Sequence, residues 1–294
     1  MTNRLLGSLV FVLLLCAGFS SAQAKITLVL GLYPEEKPQN MIQAFRPSLN
    51  AVEAKMSSQL GEEVEIRIQM SSDYVTALNA LVAGEVDFAR LGPASYVMGK
   101  TQQPALELLV MENSHGSISF QGMIVVRDDS TFRDIADLKG GSFAFVSERS
   151  TLGRFFAQAY LAKAGIKATD LRDYAYVGDH EAVGLAVGSG RYDAGAMNRR
   201  IFDKLVSRGV RLRPIASFEN VTRAWVARSA LPANIADSLR DALLDLKDPA
   251  LLESLGFDGF LPAEEAYFEA TRRMIAEHVN DYAQYQPKAE GSLQ

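Results

Sequence analysis

The sequence predicts an α/β protein of two lobes, each a mostly parallel sheet flanked by helices, on three observations. Strand and helix periodicities alternate from Ile26 onward. The alternation restarts near Met123. The far end of the chain is mainly helical.

The elements follow in order. Residues 26–32 form an apolar run that reads as a buried strand, and Pro34 and Pro38 mark a loop after it. Met41, Phe45, Leu49, Val52, Met56 and Leu60 recur at helical spacing. Val64, Ile66 and Ile68 alternate with Glu65, Arg67 and Gln69, which is a half-buried strand. Residues 74–83 read as a helix closed by Gly84, 86–89 as a short strand, and Gly92-Pro93 as the start of another helix. In the second unit, 123–126 and 142–146 read as strands around the turn Asp137-Leu138-Lys139-Gly140. A helix over 151–164 is closed by Gly165, and strand, helix and strand follow at 174–177, 181–187 and 192–196. Beyond Ile215 come a strand at 224–227, amphipathic helices to about Tyr285, and a polar tail over 286–294. The facing strand ends of two such lobes make a cleft, the place where open α/β sheets take ligands.

Residues 1–24 predict the compartment. Arg4 is their only charge, an apolar run covers 5–19, and Ala22-Gln23-Ala24 closes the segment. That order is a secretory signal peptide with cleavage before Lys25. The run is shorter than the ~20 residues that span a bilayer. A lipoprotein signal at Cys16 is disfavoured by the bulky Leu15 before it. Cys16 is the only cysteine, so the mature chain loses disulfides, thiolate metal ligands and cysteine nucleophiles. Export without cysteines fits a bacterial periplasm.

Removing Arg4 from 30 Lys+Arg leaves 29 against 35 Asp+Glu, a mature net charge of −6. There is no basic block, which argues against nucleic acid. No Walker A lysine, G-x-S-x-G or zinc-type histidine pair occurs, so neither cofactor nor metal is expected. An acidic chain that binds an anion does so with local donors.

Ser150-Thr151-Leu152-Gly153 supplies such donors. It follows a strand and opens a helix, where the first amides lack internal partners and the dipole end is positive. The alternative is plain capping by Ser150, which weighs more on local sequence alone. Gly92-Pro93-Ala94-Ser95-Tyr96 is a second candidate on the other lobe, with hydroxyls at Ser95 and Tyr96, against an ordinary helix start.

The chain carries, in order, Asp73-Tyr74, Gly84-Glu85-Val86-Asp87-Phe88-Ala89, Gly92-Pro93-Ala94-Ser95-Tyr96, Asp137-Leu138-Lys139-Gly140, Ser150-Thr151-Leu152-Gly153, Gly178-Asp179-His180-Glu181 and Asp193-Ala194-Gly195-Ala196. With these it resembles the phosphate/phosphite/phosphonate-binding proteins of ABC importers, over the opening strand to about Gly256. The resemblance implies the type II periplasmic-binding fold. Its lobes would be 25–124 with 221–285, and 125–220, joined by paired crossovers. It implies a monomeric, non-catalytic protein that captures a small phosphorus oxyanion by hinge closure for an inner-membrane ABC permease. A periplasmic sensor feeding a membrane receptor or kinase is the alternative.

The resemblance also implies ligand contacts at Ser150, Thr151 and Gly153, with Leu152 standing where the family usually has a third hydroxyl. It adds Tyr74 and His180, whose bond to a phosphoryl oxygen would strengthen on protonation. Phe120 falls where binders of aminoalkyl phosphonates carry a tyrosine. Arg200 and Arg223 fall where such binders hold carboxylates against an ammonium group. These arginines predict that 2-aminoethylphosphonate is not the ligand, and that phosphate, phosphite, a simple alkylphosphonate or a carboxylated phosphonate is. A hydrolase built on Asp87, Asp193 and His180 is the third reading. Both aspartates stand at strand starts, where they commonly satisfy local amides.

Overall fold

The computed structural model describes residues 25–35, 37–114 and 116–278. The signal segment with Cys16, the polar tail, His115 and the side chain of His278 lie outside the described residues. Among those described, no helix is long and apolar enough to cross a membrane.

The chain runs β1 (Lys25–Leu32), α1 (Pro38–Leu60), β2 (Glu63–Met70), α2 (Tyr74–Ala83), β3 (Phe88–Leu91), α3 (Pro93–Gln102), β4 (Glu107–Glu112) and then β5 (Ser119–Arg127). Next come β6 (Ser142–Phe145), a wide π-helical turn (Thr151–Phe156), α4 (Ala157–Lys163), β7 (Asp173–Tyr176), α5 (His180–Gly188), β8 (Ala194–Asn198), α6 (Arg199–Ser207) and β9 (Leu212–Val221). β10 (Ala224–Ala227), α7 (Ala233–Leu244), α8 (Pro249–Glu253), β11 (Phe260–Pro262) and α9 (Glu269–His278) complete it.

Two sheets result. One has the order β11-β4-β10-β3-β1-β2 and the other β7-β6-β8-β5-β9, so each is the sheet of one lobe. They are mixed, which corrects the mostly parallel expectation. β1 pairs in parallel with β2 and β3, and β6 with β7 and β8. The strands that flank the crossovers, β4, β5, β9 and β10, run antiparallel to their neighbours, because they carry the chain between lobes rather than through a β-α-β unit.

Periodicity missed β4, β9 and β11. β9 contains Pro214 and β11 contains Pro262, and both strands are sheet edges, where a missing amide donor is tolerated. β3 lies two residues later than predicted. Asp87 is the reason: its carboxylate accepts from Val29 N at 2.8 Å and from Arg228 Nε at 2.9 Å, which pins the strand start. Asp193 accepts from Ser142 N at 2.8 Å, Ser142 Oγ at 2.9 Å and Arg172 at 2.7 Å. Both aspartates are committed to structure.

Two crossovers join the lobes, at 113–118 and 222–223. They are tied to each other: Thr222 N donates to Ile118 O at 2.6 Å, Thr222 Oγ1 to Glu112 O at 2.6 Å, and Glu112 N to Arg223 O at 3.0 Å. Buried Trp225 on β10 packs between Phe45 of α1 and Phe260 of β11, which anchors the crossover side of the first lobe.

A candidate oxyanion chamber between the lobes

Helix starts converge where the carboxyl ends of the strands face one another. Asp73 caps α2 by accepting from Val75 N and Thr76 N, each at 2.8 Å, and so sets Tyr74 at the first position. Asp179 caps α5 through Ala182 N at 2.7 Å and sets His180 likewise. Ser150 caps the π-helical turn through Gly153 N at 3.0 Å. Such widened turns recur at functional sites. With Tyr33, Gly92, Pro93, Phe120 and Arg223, the side chains of Tyr74, Ser150, Thr151, Leu152 and His180 enclose a chamber of about 20 Å³.

Each polar side chain of the chamber is backed by another group. Tyr33 Oη accepts from Gly92 N at 2.7 Å. Thr151 Oγ1 accepts from Ala94 N at 2.8 Å, a bond that spans the two lobes. The Tyr74 and Ser150 hydroxyls line the same chamber. His180 Nδ1 accepts from Asn198 N at 3.2 Å, which leaves the ring proton on Nε2. The Tyr33 and Tyr74 rings stack with centroids 3.9 Å apart. Burial pushes the Tyr33 phenol up to about 12, against the lowering pull of Arg223. Burial also lowers His180 to about 3, Glu35 pulls it back only in part, and Arg223 and Arg200 lower it further. His180 is therefore neutral at ordinary pH. The expected strengthening by protonation does not apply here, because a charged ring would sit buried beside two guanidiniums and lose its bond from Asn198.

Behind the chamber lies a buried ion cluster. Arg90 donates to Glu112 Oε1 at 2.5 Å and Oε2 at 3.1 Å, and to Glu35 Oε1 at 2.8 Å. Trp225 Nε1 donates to Glu112 at 3.1 Å. Arg223 Nε pairs with Glu35, and Arg200 reaches the other Glu35 oxygen at 3.5 Å from the second lobe. Burial works to raise the Glu35 carboxyl, but Arg223, Arg90 and Arg200 outweigh it and hold it well below the usual carboxylate range. Three guanidiniums thus meet at two carboxylates.

The structure brings Tyr74, Phe120, Ser150, Thr151, His180 and Arg223 to the chamber. Arg200 instead lines an adjoining vestibule of about 550 Å³, which shares Phe120 and Arg223 with the chamber. Three predicted residues are placed elsewhere. The Gly153 amide is taken by Ser150, and a Cβ there would lie 2.2 Å from Val146, so the residue serves close packing. Ser95 Oγ leans to Arg149 O at 3.5 Å. Tyr96 is fully buried away from the cleft, its hydroxyl donating to Glu265 and its ring 4.4 Å from that of Phe268. The rotation of α3 explains Tyr96: the helix start and Ser95 face the second lobe, whereas Tyr96 lies round the helix toward Glu265 and Phe268. Leu152 both walls the chamber and packs in the second lobe's core. Sequence reasoning missed Tyr33, Glu35, Arg90 and Glu112. The one signal was the position of Tyr33-Pro34-Glu35 just past the first strand.

A family model described as "ABC transporter, phosphonate, periplasmic substrate-binding protein" matches residues 30–268. The chain is 24% identical over 264 residues to a probable ABC transporter phosphite-binding protein, PhnD1, of Prochlorococcus marinus, covering 82% of this chain and 86% of that one. It is 26% identical over 230 residues to the phosphate-import protein PhnD of Mycolicibacterium smegmatis, covering 74% and 69%. The fold is similar to PhnD1 in complex with methylphosphonate, with a TM-score of 0.73 at 22% identity over 85% of this chain and 97% of that one. It is also similar to a binding protein component of an ABC phosphonate transporter from Pseudomonas aeruginosa, with a TM-score of 0.75 at 18% identity over 90% and 91%. The relatives are substrate-binding proteins rather than enzymes, and with the two aspartates held in structural bonds no hydrolase reading remains. The chain belongs to the periplasmic substrate-binding proteins of phosphonate ABC transporters.

Proposed function

We propose that this protein captures a small phosphorus oxyanion between its lobes and delivers it to an inner-membrane ABC permease. The observation that carries the reading is the chamber itself: it lies between the lobes and is walled by hydroxyls, an imidazole and a guanidinium. The relatives named for phosphite, phosphate and methylphosphonate support phosphate, phosphite or a non-amino phosphonate as ligand. The protein works as a monomer, exported by a signal segment cleaved after Ala24.

Closure follows from the lobe-spanning contacts. Thr151 to Ala94 and Arg200 to Glu35 form only when the lobes meet, and a ligand touching both sides favours that state. The same geometry disfavours an ammonium-bearing ligand. Arg223 is the only charged side chain shared by chamber and vestibule among the described residues, so a substituent leaving the chamber passes a guanidinium. Glu35 and Glu112 are already paired with arginines, and of the other vestibule carboxylates Asp203 pairs with Arg199 and Glu219 accepts from Ser119 Oγ at 3.5 Å. Differential thermal unfolding with phosphate, phosphite, methylphosphonate and 2-aminoethylphosphonate tests this, since ligand that binds only the native state raises the midpoint. Stabilisation by the first three and not the last is expected. Stabilisation by 2-aminoethylphosphonate alone would overturn the ligand class. Scattering without ligand-induced compaction would overturn closure.

A further inference from the structure

The π-helical turn that carries Thr151 is not held by its own lobe alone. Its ladder is wide: Ser150 O accepts from Arg154 N at 3.1 Å and from Phe155 N at 3.3 Å. Turns of this kind are rare, and their surroundings hold them in place. Here two helices of the first lobe contribute. α3 meets the turn through Ala94 N, which donates to Thr151 Oγ1 at 2.8 Å. α9 packs against the turn, against α4 that continues it, and against α3. The turn belongs to the second lobe yet is seated on two helices of the first.

The sequence of α9 explains how one helix serves both lobes. At 3.6 residues per turn, Phe268, Arg272 and Ile275 fall within about 60° of one another around the axis, and Thr271 and Met274 fall on the adjoining strip. The first strip faces α3. The Phe268 ring lies 4.4 Å from that of Tyr96, and Arg272 and Ile275 line a groove with Val97 and Lys100. The second strip faces the other lobe. Met274 packs against that lobe's core, and Thr271 Oγ1 donates to Asn220 Oδ1 at 3.4 Å. Thr271 and Asn220 are both buried, and Asn220 Nδ2 has no partner. Asn220 stands on β9 opposite Phe120, a wall of the chamber.

We propose that Met274 and Thr271 are positioning residues for ligand capture: through them α9 braces the second lobe against the first and holds the π-helical turn where Thr151 faces the chamber. This rests on the reading of the chamber given above. Neither residue lines the chamber, so both act through the turn and through the angle between the lobes. Swinging the second lobe away from the first also takes it away from the second strip of α9. Loss of the brace therefore favours the open state.

Two measurements on the mature protein test this. Stopped-flow binding of methylphosphonate separates the rates. Met274→Ala should bind about ten-fold more weakly, through faster dissociation, with association within two-fold of wild type. Thr271→Val should shift the rates the same way, and Met274→Leu, which conserves volume, should restore them. The second measurement needs no ligand. Residues 25–294 contain no cysteine, so Lys55→Cys on the first lobe and Lys139→Cys on the second, both exposed, accept a pair of spin labels. Adding Met274→Ala should lengthen the distance between them in the unliganded protein. A Met274→Ala protein that melts lower but keeps wild-type rates and label distances would make Met274 core packing alone and overturn the brace. Slower association with unchanged dissociation would overturn it too. If the wild-type protein binds none of methylphosphonate, phosphite and phosphate, the oxyanion reading fails, and the label distances still decide the brace.

Discussion

Replacing Thr151 with valine removes one hydroxyl and keeps the branched shape. Thr151 Oγ1 accepts from Ala94 N at 2.8 Å across the cleft, and its proton faces the chamber. Two contributions to the closed, ligand-bound state disappear together. A hydrogen bond to a charged oxygen is worth about 1.5–3 kcal/mol, and a buried amide left without an acceptor costs about 1–3 kcal/mol. Neighbouring contributions are not additive, so a combined loss of about 3 kcal/mol is expected. That is on the order of a hundred-fold in Kd. In an opened cleft the Ala94 amide meets water, so the unliganded protein should unfold at nearly the wild-type midpoint. Calorimetric titration of Thr151→Val with methylphosphonate measures the effect, and Thr151→Ser, which retains the hydroxyl, should bind within a few-fold of wild type. A Thr151→Val protein within three-fold of wild type would refute the reasoning, because neither the ligand bond nor the lobe-spanning bond could then matter.

Three further outcomes are expected. Arg90→Ala takes the main charged partner from buried Glu112 and one of three guanidiniums from Glu35, and urea denaturation should show a loss of about 3–5 kcal/mol. For His180, the ring of the unfolded chain binds a proton below about pH 6.5, whereas the folded value is lowered to about 3. Stability is thus retained above 6.5 and lost as pH falls toward 3, with a slope approaching about 1.4 kcal/mol per pH unit. Glu35, held low, adds to the acid loss only below about 4.5. His180→Asn should flatten the stability profile between pH 6.5 and 5, and an unchanged slope would count against a neutral buried ring. Gly256 has φ +72°, and a Cβ there would lie 2.8 Å from Arg200 Cδ. Gly256→Ala should therefore lower stability by more than about 1 kcal/mol in thermal unfolding.

What was legible in the sequence is what is local. Asp73, Asp179 and Ser150 announce helix starts through capping chemistry, and those starts carry Tyr74, His180 and Thr151 to the cleft. The ion cluster was not legible, since Glu35, Arg90, Glu112 and Arg223 meet from positions 55 and 22 residues apart and more. Single residues in a sequence do not announce such pairing. Tyr96 shows the reverse error: the helix start meets Thr151 through the amide of Ala94, yet about half a turn further on the tyrosine points to Glu265. β9 was lost to Pro214, which tertiary position at a sheet edge makes harmless. Arg200 and Arg223 were singled out, but their charges are shared with Glu35, a carboxylate that the pattern did not suggest.

Under the proposed function the ligand lies between the lobes against Thr151. A crystal structure of the mature protein soaked with methylphosphonate tests it most directly. Phosphorus density is expected in the chamber, with oxygens in hydrogen-bonding distance of Thr151 Oγ1, His180 Nε2 and Tyr33 Oη. Density only in the vestibule beside Arg200, or a filled chamber whose oxygens ignore Thr151 and His180, would contradict it.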